Sequence, residues 1–257
     1  MSYELIILEY KDDIAIITMN YPQRRNALSL NHMRELTSAF REVGDTTVRG
    51  VILAANGPVF SSGHNFAEMV DQDLDAMRKL LKVCITLMNT IQEIPQPVLA
   101  RVQGLATAAG CQLVATCDLA VASTEAAFAT PAVKNGWPCT TPMVAVSRNI
   151  GRKRALEMLL TGVTIDAQTA ADWGLVNRVV PPEDLVEESQ CLLEAATKGS
   201  FIATGIGKQA FYAHIGLAQS QAYDYALEVM AATALLPDAQ EGMHAFLEKR
   251  KANFKRP

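Results

Sequence analysis

Two stretches decide the fold of this chain: Phe60-Ser-Ser-Gly-His-Asn-Phe-Ala-Glu-Met69 and Gly104-Leu-Ala-Thr-Ala-Ala-Gly-Cys-Gln-Leu-Val-Ala-Thr-Cys-Asp118. In each, an apolar segment leads into a turn of small residues and then into a helical pattern. The N–H groups in the first turn of a helix have no partner inside that helix, so they can bind an anion. Two such turns that meet predict a pair of backbone donors for an oxygen that becomes negative during a reaction, which is an oxyanion hole.

Length and charge narrow the class of protein. The chain has 257 residues, 49% of them hydrophobic, which is enough for one domain with an appended helical region. A net charge of −4 and a pI near 5.6 give no reason to expect binding to nucleic acid or to an anionic membrane. The most apolar region, residues 98–123, is interrupted by Arg101, Gln103, Gln112 and Asp118, and this pattern predicts core rather than a membrane span.

The cysteines indicate a reducing compartment. Their number is odd, they form no CxxC pair, and most have apolar neighbours: Cys84, Cys111, Cys117, Cys139 and Cys191. We therefore expect free thiols, with neither disulfides nor structural zinc. The first ten residues carry no basic or Arg/Ser-rich leader, so the sequence predicts no targeting segment and a cytoplasmic protein.

Strand and helix patterns alternate along the first half of the chain. Residues 3–10 and 14–19 are predicted to be paired strands, and a helix with Ser29 as its N-cap is predicted to end at Gly44. Strands at 51–55 and 98–102 flank a long helix over 74–94, which Pro95 and Pro97 close. From residue 141 onward the pattern is largely helical.

These motifs resemble the crotonase (enoyl-CoA hydratase/isomerase) superfamily, from Arg24-Arg-Asn-Ala-Leu28 to Glu241-Gly-Met-His-Ala-Phe-Leu-Glu-Lys-Arg250. The resemblance implies an α/β fold, a superhelix of β-β-α units with a C-terminal helical trimerisation region. It divides the chain into an acyl-CoA-binding core over 1–195 and the trimerisation helices over 196–257. It also implies a coenzyme A thioester as ligand, no bound cofactor or metal, and a homotrimer or a dimer of trimers.

By the same resemblance, the oxyanion donors are the backbone N–H groups of His64 and Ala109, within the turns that contain Gly63 and Gly110. Close helix packing is an alternative reason for the small residues beside Ala109. The His64 side chain either flanks the loop passively or contacts the acyl group and donates a proton.

The catalytic acid and base of the family's hydratases are missing. Both are glutamates in those enzymes, and the matching positions here are Gln112 and Ala132. A spacing of three places Gln112 on the helical face of Ala109, from which its amide could orient water but not accept a proton. Two other carboxylates are expected to be structural: Glu68 in a salt bridge and Asp118 as a turn or cap residue.

The resemblance also implies the remaining contacts. The segment 133–143 replaces a Gly-rich loop, and its Trp137, Cys139 and Thr140 are expected to line the acyl site; for Cys139 the alternative role is a nucleophile. Further contacts to the substrate or to CoA are implied for a set of residues spread over the chain: Arg24, Arg25, Ala27, Ser62, Asn65, Phe246 and Lys249. Arg24 could instead be an ordinary surface residue, and Lys249 part of a solvated helix face.

One superfamily member binds RNA through lysines along its first helix, but the matching stretch here, residues 29–43, has only Arg34 and Arg41 as basic residues. We therefore expect no nucleic-acid partner. Two functions stay open. The first is an enzyme that stabilises a thioester enolate, with hydration weak or replaced by a reaction such as decarboxylation. The second is a non-catalytic acyl-CoA-binding or regulatory protein.

Overall fold

The computed structural model describes residues 3–254. Its strands are β1 (Ile6–Lys11), β2 (Ile14–Met19), β3 (Gly50–Ala55), β4 (Val59–Ser61), β5 (Val98–Val102), β6 (Leu105–Thr107), β7 (Leu119–Ser123), β8 (Ala127–Ala129), β9 (Thr164–Asp166) and β10 (Arg178–Val180). Its α-helices are α1 (Leu30–Gly44), α2 (Leu74–Glu93), α3 (Ala109–Thr116), α4 (Thr140–Asn149), α5 (Arg152–Thr161), α6 (Ala167–Trp173), α7 (Leu185–Thr197), α8 (Phe201–His214), α9 (Gln219–Thr233) and α10 (Pro237–Leu247). Short 3-10 helices lie at Pro22–Arg24, Phe66–Glu68, Pro131–Asn135 and Pro182–Asp184.

Successive strand pairs build two sheets side by side. The larger sheet has the order β1-β2-β3-β5-β7-β10 and the smaller one β4-β6-β8-β9. Each of the pairs β3–β4, β5–β6 and β7–β8 therefore adds one strand to each sheet, and the strands added in this way pair in parallel. Helices α2 and α3 follow the first two pairs. This arrangement confirms the predicted mixed α/β fold of repeating β-β-α units.

Helix α1 begins and ends as its sequence predicts. The Ser29 hydroxyl accepts a hydrogen bond from the His32 N–H at 3.1 Å, which satisfies one of the free donors of the first turn. Met33, Leu36 and Phe40 are fully buried along one face, and they share a core with Leu87 of α2. The spacing of these apolar residues therefore determines which side of α1 faces the sheets.

The last three helices leave much apolar surface exposed. Helix α9 contains no buried residue, and Met230 on it is 77% exposed.

Helix α7 packs against β3, β5 and β7 and runs to Thr197, so the boundary predicted after residue 195 falls in the last turn of a core helix. Within residues 3–254, no helix is both long and apolar enough to span a bilayer.

A buried ion pair ties α8 to the core. The Lys208 ammonium lies 2.8 Å from the Asp118 carboxylate, and it also donates to the carbonyls of Ile91 and Gln96 at 2.7 and 2.8 Å. Asp118 accepts further hydrogen bonds from the Val98 N–H at 2.6 Å and the Tyr212 hydroxyl at 2.7 Å. Burial lowers the pKa of Lys208, an effect that the Asp118 charge opposes. Asp118 is therefore structural, in agreement with the sequence analysis.

Candidate functional site

Two glycines let the loop after β4 lie directly against the start of α3. A Cβ atom on Gly110 would lie 2.4 Å from the Ser61 carbonyl oxygen, a distance that no side chain tolerates. A Cβ atom on Gly63 would lie 2.9 Å from the Thr107 carbonyl oxygen and 3.0 Å from the Ala109 nitrogen. The absence of both side chains therefore brings the backbone before His64 next to the backbone at Ala109.

His64 and Ala109 are the two predicted donor residues. Their N–H groups take no part in the hydrogen bonds that join the loops. Those bonds run from the Leu28 N–H to the Gly63 carbonyl at 2.8 Å and from the Ala108 N–H to the Ala129 carbonyl at 2.9 Å. Ala109 is the first residue of α3, so its N–H precedes the intrahelical ladder. Ala108 has φ 52° and ψ −119°, a strained conformation for a residue with a side chain, and this turn aims the start of α3 at the loop of His64.

A third loop, Arg24–Leu28, is fixed against β4 and the turn before it through Asn26, which is fully buried. The Asn26 amide accepts from the Tyr21 N–H at 2.9 Å and donates to the carbonyls of Asn56 and Val59, both at 2.9 Å. Arg25 and Asn26 are both left-handed, with φ 52° and 49°. Since the contacts with Asn56 and Val59 span 30 and 33 residues of sequence, the loop is held by the fold as well as by its own turn.

A cavity of about 340 Å³ opens between these loops and the segment that begins at Pro131. Its lining residues are Arg24, Ala27, Ser62, His64, Asn65, Phe66, Thr107, Ala108, Ala109, Pro131, Ala132, Asn135, Trp137, Pro138, Cys139, Thr140, Thr141 and Pro142. This lining includes no aspartate or glutamate. The helices α3 and α4 both begin at the cavity, and helix N-termini carry partial positive charge. The cavity is therefore suited to an oxygen that becomes negative.

Most of the predicted site residues lie at this cavity, but six do not line it: Arg25, Gly63, Gly110, Gln112, Phe246 and Lys249. The two glycines and Arg25 act through backbone contacts, and the Arg25 carbonyl accepts from the Ser62 N–H at 3.0 Å. Gln112 is only 4% exposed, and its side-chain oxygen is buried without a hydrogen-bond partner within residues 3–254. Its role as a water orienter stays a prediction.

Phe246 and Lys249 lie at and beyond the end of α10, outside the cavity of the single chain. Phe246 is 83% exposed, so its aromatic ring has almost no contact with the rest of its own chain. The CoA contacts predicted for Phe246 and Lys249 therefore cannot be made inside the cavity that residues 3–254 form.

Within residues 3–254 Glu68 makes no salt bridge, contrary to the sequence prediction. Its carboxylate accepts from the Leu30 N–H at 2.8 Å and from the Asn65 amide at 3.4 Å. A negative charge beside the first turn of α1 complements the positive end of the helix dipole, which removes the need for a basic partner. Glu68 therefore ties the loop of His64 to the start of α1.

The ionisable side chains of the cavity are not arranged as bases or nucleophiles. Burial lowers the pKa of His64, while the Leu28 backbone and the Glu68 charge act in the opposite direction, so the imidazole is neutral at pH 7. Its two ring nitrogens are buried without a hydrogen-bond partner among the residues that the structure describes. Burial raises the pKa of the Cys139 thiol, which argues against the nucleophile alternative.

Several lining residues were not predicted from the sequence. Phe66, Thr107 and Asn135 reach the cavity from the ends of short elements, where apolar spacing gives no signal. The position of Thr141 and Pro142 at the start of α4 could have been inferred from the helical pattern that begins there. Among residues 3–254, no group of three His, Cys, Asp or Glu side chains could hold a metal ion.

Comparison with known proteins gives consistent matches over nearly the whole chain. The family profile described as Enoyl-CoA hydratase/isomerase matches residues 9–257. "Enoyl-CoA hydratase domain-containing protein 3, mitochondrial" of Xenopus laevis is 43% identical over 249 residues, covering 96% of this chain and 85% of its own. The human protein of the same name is 43% identical over 242 residues, covering 93% and 80%.

Two solved structures have the same fold as this chain. A crystal structure of an enoyl-CoA hydratase from Mycobacterium smegmatis superposes with a TM-score of 0.95 at 42% identity, covering 98% of this chain and 99% of its own. The crystal structure of human enoyl Coenzyme A hydratase domain-containing protein 3 gives a TM-score of 0.94 at 41% identity, covering 98% and 100%.

Proposed function

The chain belongs to the enoyl-CoA hydratase/isomerase family, and from this premise we propose that it binds an acyl-CoA thioester and stabilises the thioester enolate. The backbone N–H groups of His64 and Ala109 hold the enolate oxygen. The observation that supports this proposal is the close approach of Gly63 to the Ala109 nitrogen, with His64 and Ala109 both lining one cavity. Donors fixed in advance stabilise a developing charge without reorganisation.

Simple hydration is expected to be weak. A hydratase must take a proton from water and deliver one to the acyl chain, and each such group typically contributes about 10²–10⁴-fold in rate. No carboxylate lines the cavity, the Cys139 thiol is protonated, and the amide of Gln112 cannot accept a proton. The reaction we propose therefore forms the enolate without a protein base.

Decarboxylation of a 2-carboxyacyl-CoA, a thioester of the malonyl type, meets this condition. The bond between C2 and the carboxylate carbon breaks, carbon dioxide leaves, and the electron pair moves to the thioester oxygen. A proton from water then adds to C2 and restores the thioester. A substrate carboxylate meets no negative side chain in the cavity, and the first turns of α3 and α4 favour its charge.

The test is release of carbon dioxide from malonyl-CoA and methylmalonyl-CoA by the purified protein, measured beside the Kd of each thioester. We expect both thioesters to bind and at least one to lose carbon dioxide. Binding without release from any of several 2-carboxyacyl-CoA compounds would contradict the decarboxylation proposal. Absence of binding to any CoA thioester would contradict the proposed ligand.

Ala132→Glu is expected to create hydratase activity. Ala132 lines the cavity, so a carboxylate at this position can accept a proton from water beside a bound enoyl-CoA. We expect hydration of crotonyl-CoA to rise by about 10²-fold, measured as loss of the enoyl-thioester absorbance. The matched control is Ala132→Gln, which has the same size but cannot accept a proton. An equal gain in both variants, or a wild-type rate equal to that of Ala132→Glu, would show that the missing base is not what limits hydration.

A second candidate function is non-catalytic binding of acyl-CoA, for example in regulation. The cavity favours it in one respect, because neither a carboxylate nor a thiolate is available there at neutral pH. Tight thioester binding with no turnover of enoyl or 2-carboxyacyl substrates distinguishes this candidate from the enzyme.

We also propose that Arg24 contacts CoA phosphate, since its side chain lies at the cavity and a guanidinium matches phosphate oxygens.

The protein is proposed to form a homotrimer or a dimer of trimers through α8–α10. The exposed apolar side chains of these helices support this: Phe211, Leu227, Met230, Leu235, Phe246 and Leu247. A cytoplasmic location stays a prediction; the Xenopus laevis and human relatives are named mitochondrial.

A further inference from the structure

His32 is a fully buried histidine that the proposed chemistry does not use. It lies in the first turn of α1, and its Nδ1 is 3.0 Å from the Ala27 carbonyl oxygen. A carbonyl can only accept, so Nδ1 carries the proton and donates it. Nε2 has no partner within residues 3–254, which suits an unprotonated nitrogen. Burial lowers the pKa of His32, an effect that the bond to Ala27 and the Glu35 charge oppose, so the ring is neutral.

The bond from His32 completes a set of contacts that holds the loop Arg24–Leu28. Three neighbouring carbonyls of this loop are held from the side of β4. Arg25 accepts from the Ser62 N–H at 3.0 Å, Asn26 from the Ser61 hydroxyl at 2.9 Å, and Leu28 from the Asn65 N–H at 3.4 Å. The carbonyl between them, that of Ala27, accepts from the His32 side chain of α1 and also from the Ser29 N–H at 3.0 Å. Successive carbonyls of one loop are thus fixed by two different elements.

This loop needs external support because Arg25 and Asn26 adopt left-handed conformations in succession. Neither is glycine, so such a turn persists only where surrounding contacts over-determine it. Ala27 and Arg24 also line the cavity. A shift of the Ala27 peptide would therefore move both the cavity wall and the side chain proposed to meet CoA phosphate.

We propose that His32 is a positioning residue that sets the affinity for CoA by fixing the Ala27 peptide; this inference rests on the proposed acyl-CoA function. The imidazole does not touch the ligand. Its effect is expected on the CoA part, so CoA alone and butyryl-CoA should lose affinity by the same factor. A hydrogen bond from a neutral donor supports about a tenfold change in Kd.

The experiment measures the Kd of CoA and of butyryl-CoA for the wild-type protein and four variants by titration calorimetry. His32→Leu and His32→Phe remove the donor, and the second keeps a ring in case the first does not fold. His32→Asn keeps an N–H near the position of Nδ1. Thr37→Ala is the control, because the Thr37 hydroxyl bonds only within α1, to the Met33 carbonyl at 2.7 Å. Circular dichroism and the thermal midpoint report folding and stability of each variant.

We expect the Leu and Phe variants to bind both ligands about tenfold more weakly, and the Asn and Thr37→Ala variants to bind within about twofold of wild type. Unchanged affinity in the Leu and Phe variants would overturn the positioning role while leaving the proposed function intact. Equal weakening in His32→Asn would also overturn it, because packing rather than the donor would then be responsible. If wild type binds neither ligand, the proposed function and this inference both fail.

Discussion

Gly63→Ala is expected to lower decarboxylation of a 2-carboxyacyl-CoA by about 10²–10³-fold, the usual effect of losing one oxyanion donor. The new Cβ atom would lie 2.9 Å from the Ala108 Cβ atom and 3.0 Å from the Ala109 nitrogen. Contacts this short force the two loops apart. Gly63 also has φ +82°, which alanine adopts only with strain. The enolate oxygen can then no longer meet both N–H groups at hydrogen-bond distance.

The measurement is the rate of carbon dioxide release together with the Kd of CoA. We expect the rate to fall by a much larger factor than the affinity for CoA, since the hole contacts only the thioester, whereas the Gly63 carbonyl reaches the CoA side only through its bond from the Leu28 N–H. Gly174→Ala is the control for backbone strain. Gly174 has φ +89° and ends α6 away from the cavity, and its Cβ atom would meet only the Asn149 carbonyl at 3.4 Å. Equal rate losses in the two variants would refute the oxyanion hole.

Lys208→Met is expected to lower the free energy of unfolding by about 3–5 kcal/mol, the usual loss when one partner of a buried ion pair is removed. The Lys208 and Asp118 side chains are 6% and 14% exposed, so water cannot replace the missing ammonium. The carbonyls of Ile91 and Gln96 lose their bonds from Lys208 in the same variant. A buried carboxylate and two buried carbonyls are then left without this donor.

The test is the free energy of unfolding in urea, measured for the single variants and for the double variant Lys208→Met/Asp118→Asn. The double variant is expected to be more stable than Lys208→Met, because the amide carries no charge, its oxygen keeps the bond from the Val98 N–H, and its NH2 group can donate to the Tyr212 hydroxyl oxygen. Arg78→Ala is the control: Arg78 pairs with Asp75 on the surface, where the side chains are 69% and 90% exposed, so stability should not change. A loss below about 1 kcal/mol in Lys208→Met would show that the pair does not hold α8 to the core.

Local patterns predicted the elements that carry the site. The apolar spacing after Ser29 predicted α1, and the small residues around Gly63 and Ala109 predicted two turns that could lie against each other. These inferences held because they depend on side-chain size and on contacts a few residues apart. The predicted salt bridge of Glu68 was wrong, because the carboxylate instead accepts a hydrogen bond from the Leu30 N–H at the start of α1.

The position of a side chain relative to the cavity could not be predicted from helical spacing alone. Gln112 follows Ala109 by three residues, yet it is only 4% exposed and is not among the residues that line the cavity, because the direction in which α3 meets the cavity depends on the packing of both sheets. His32 gave no signal either. Its partner is a backbone carbonyl, and sequence gives no indication of which carbonyl a side chain will meet.

By itself, the sequence determined the main strands and helices in their order and the two small-residue turns. Only the tertiary structure decided the strained turn at Ala108, the support of Ala27 by His32 and the joining of Asp118 to Lys208. The physical reason is the distance along the sequence over which each kind of interaction acts. Helix and strand preferences come from neighbouring residues, whereas strain and buried charge persist only where distant segments pack around them.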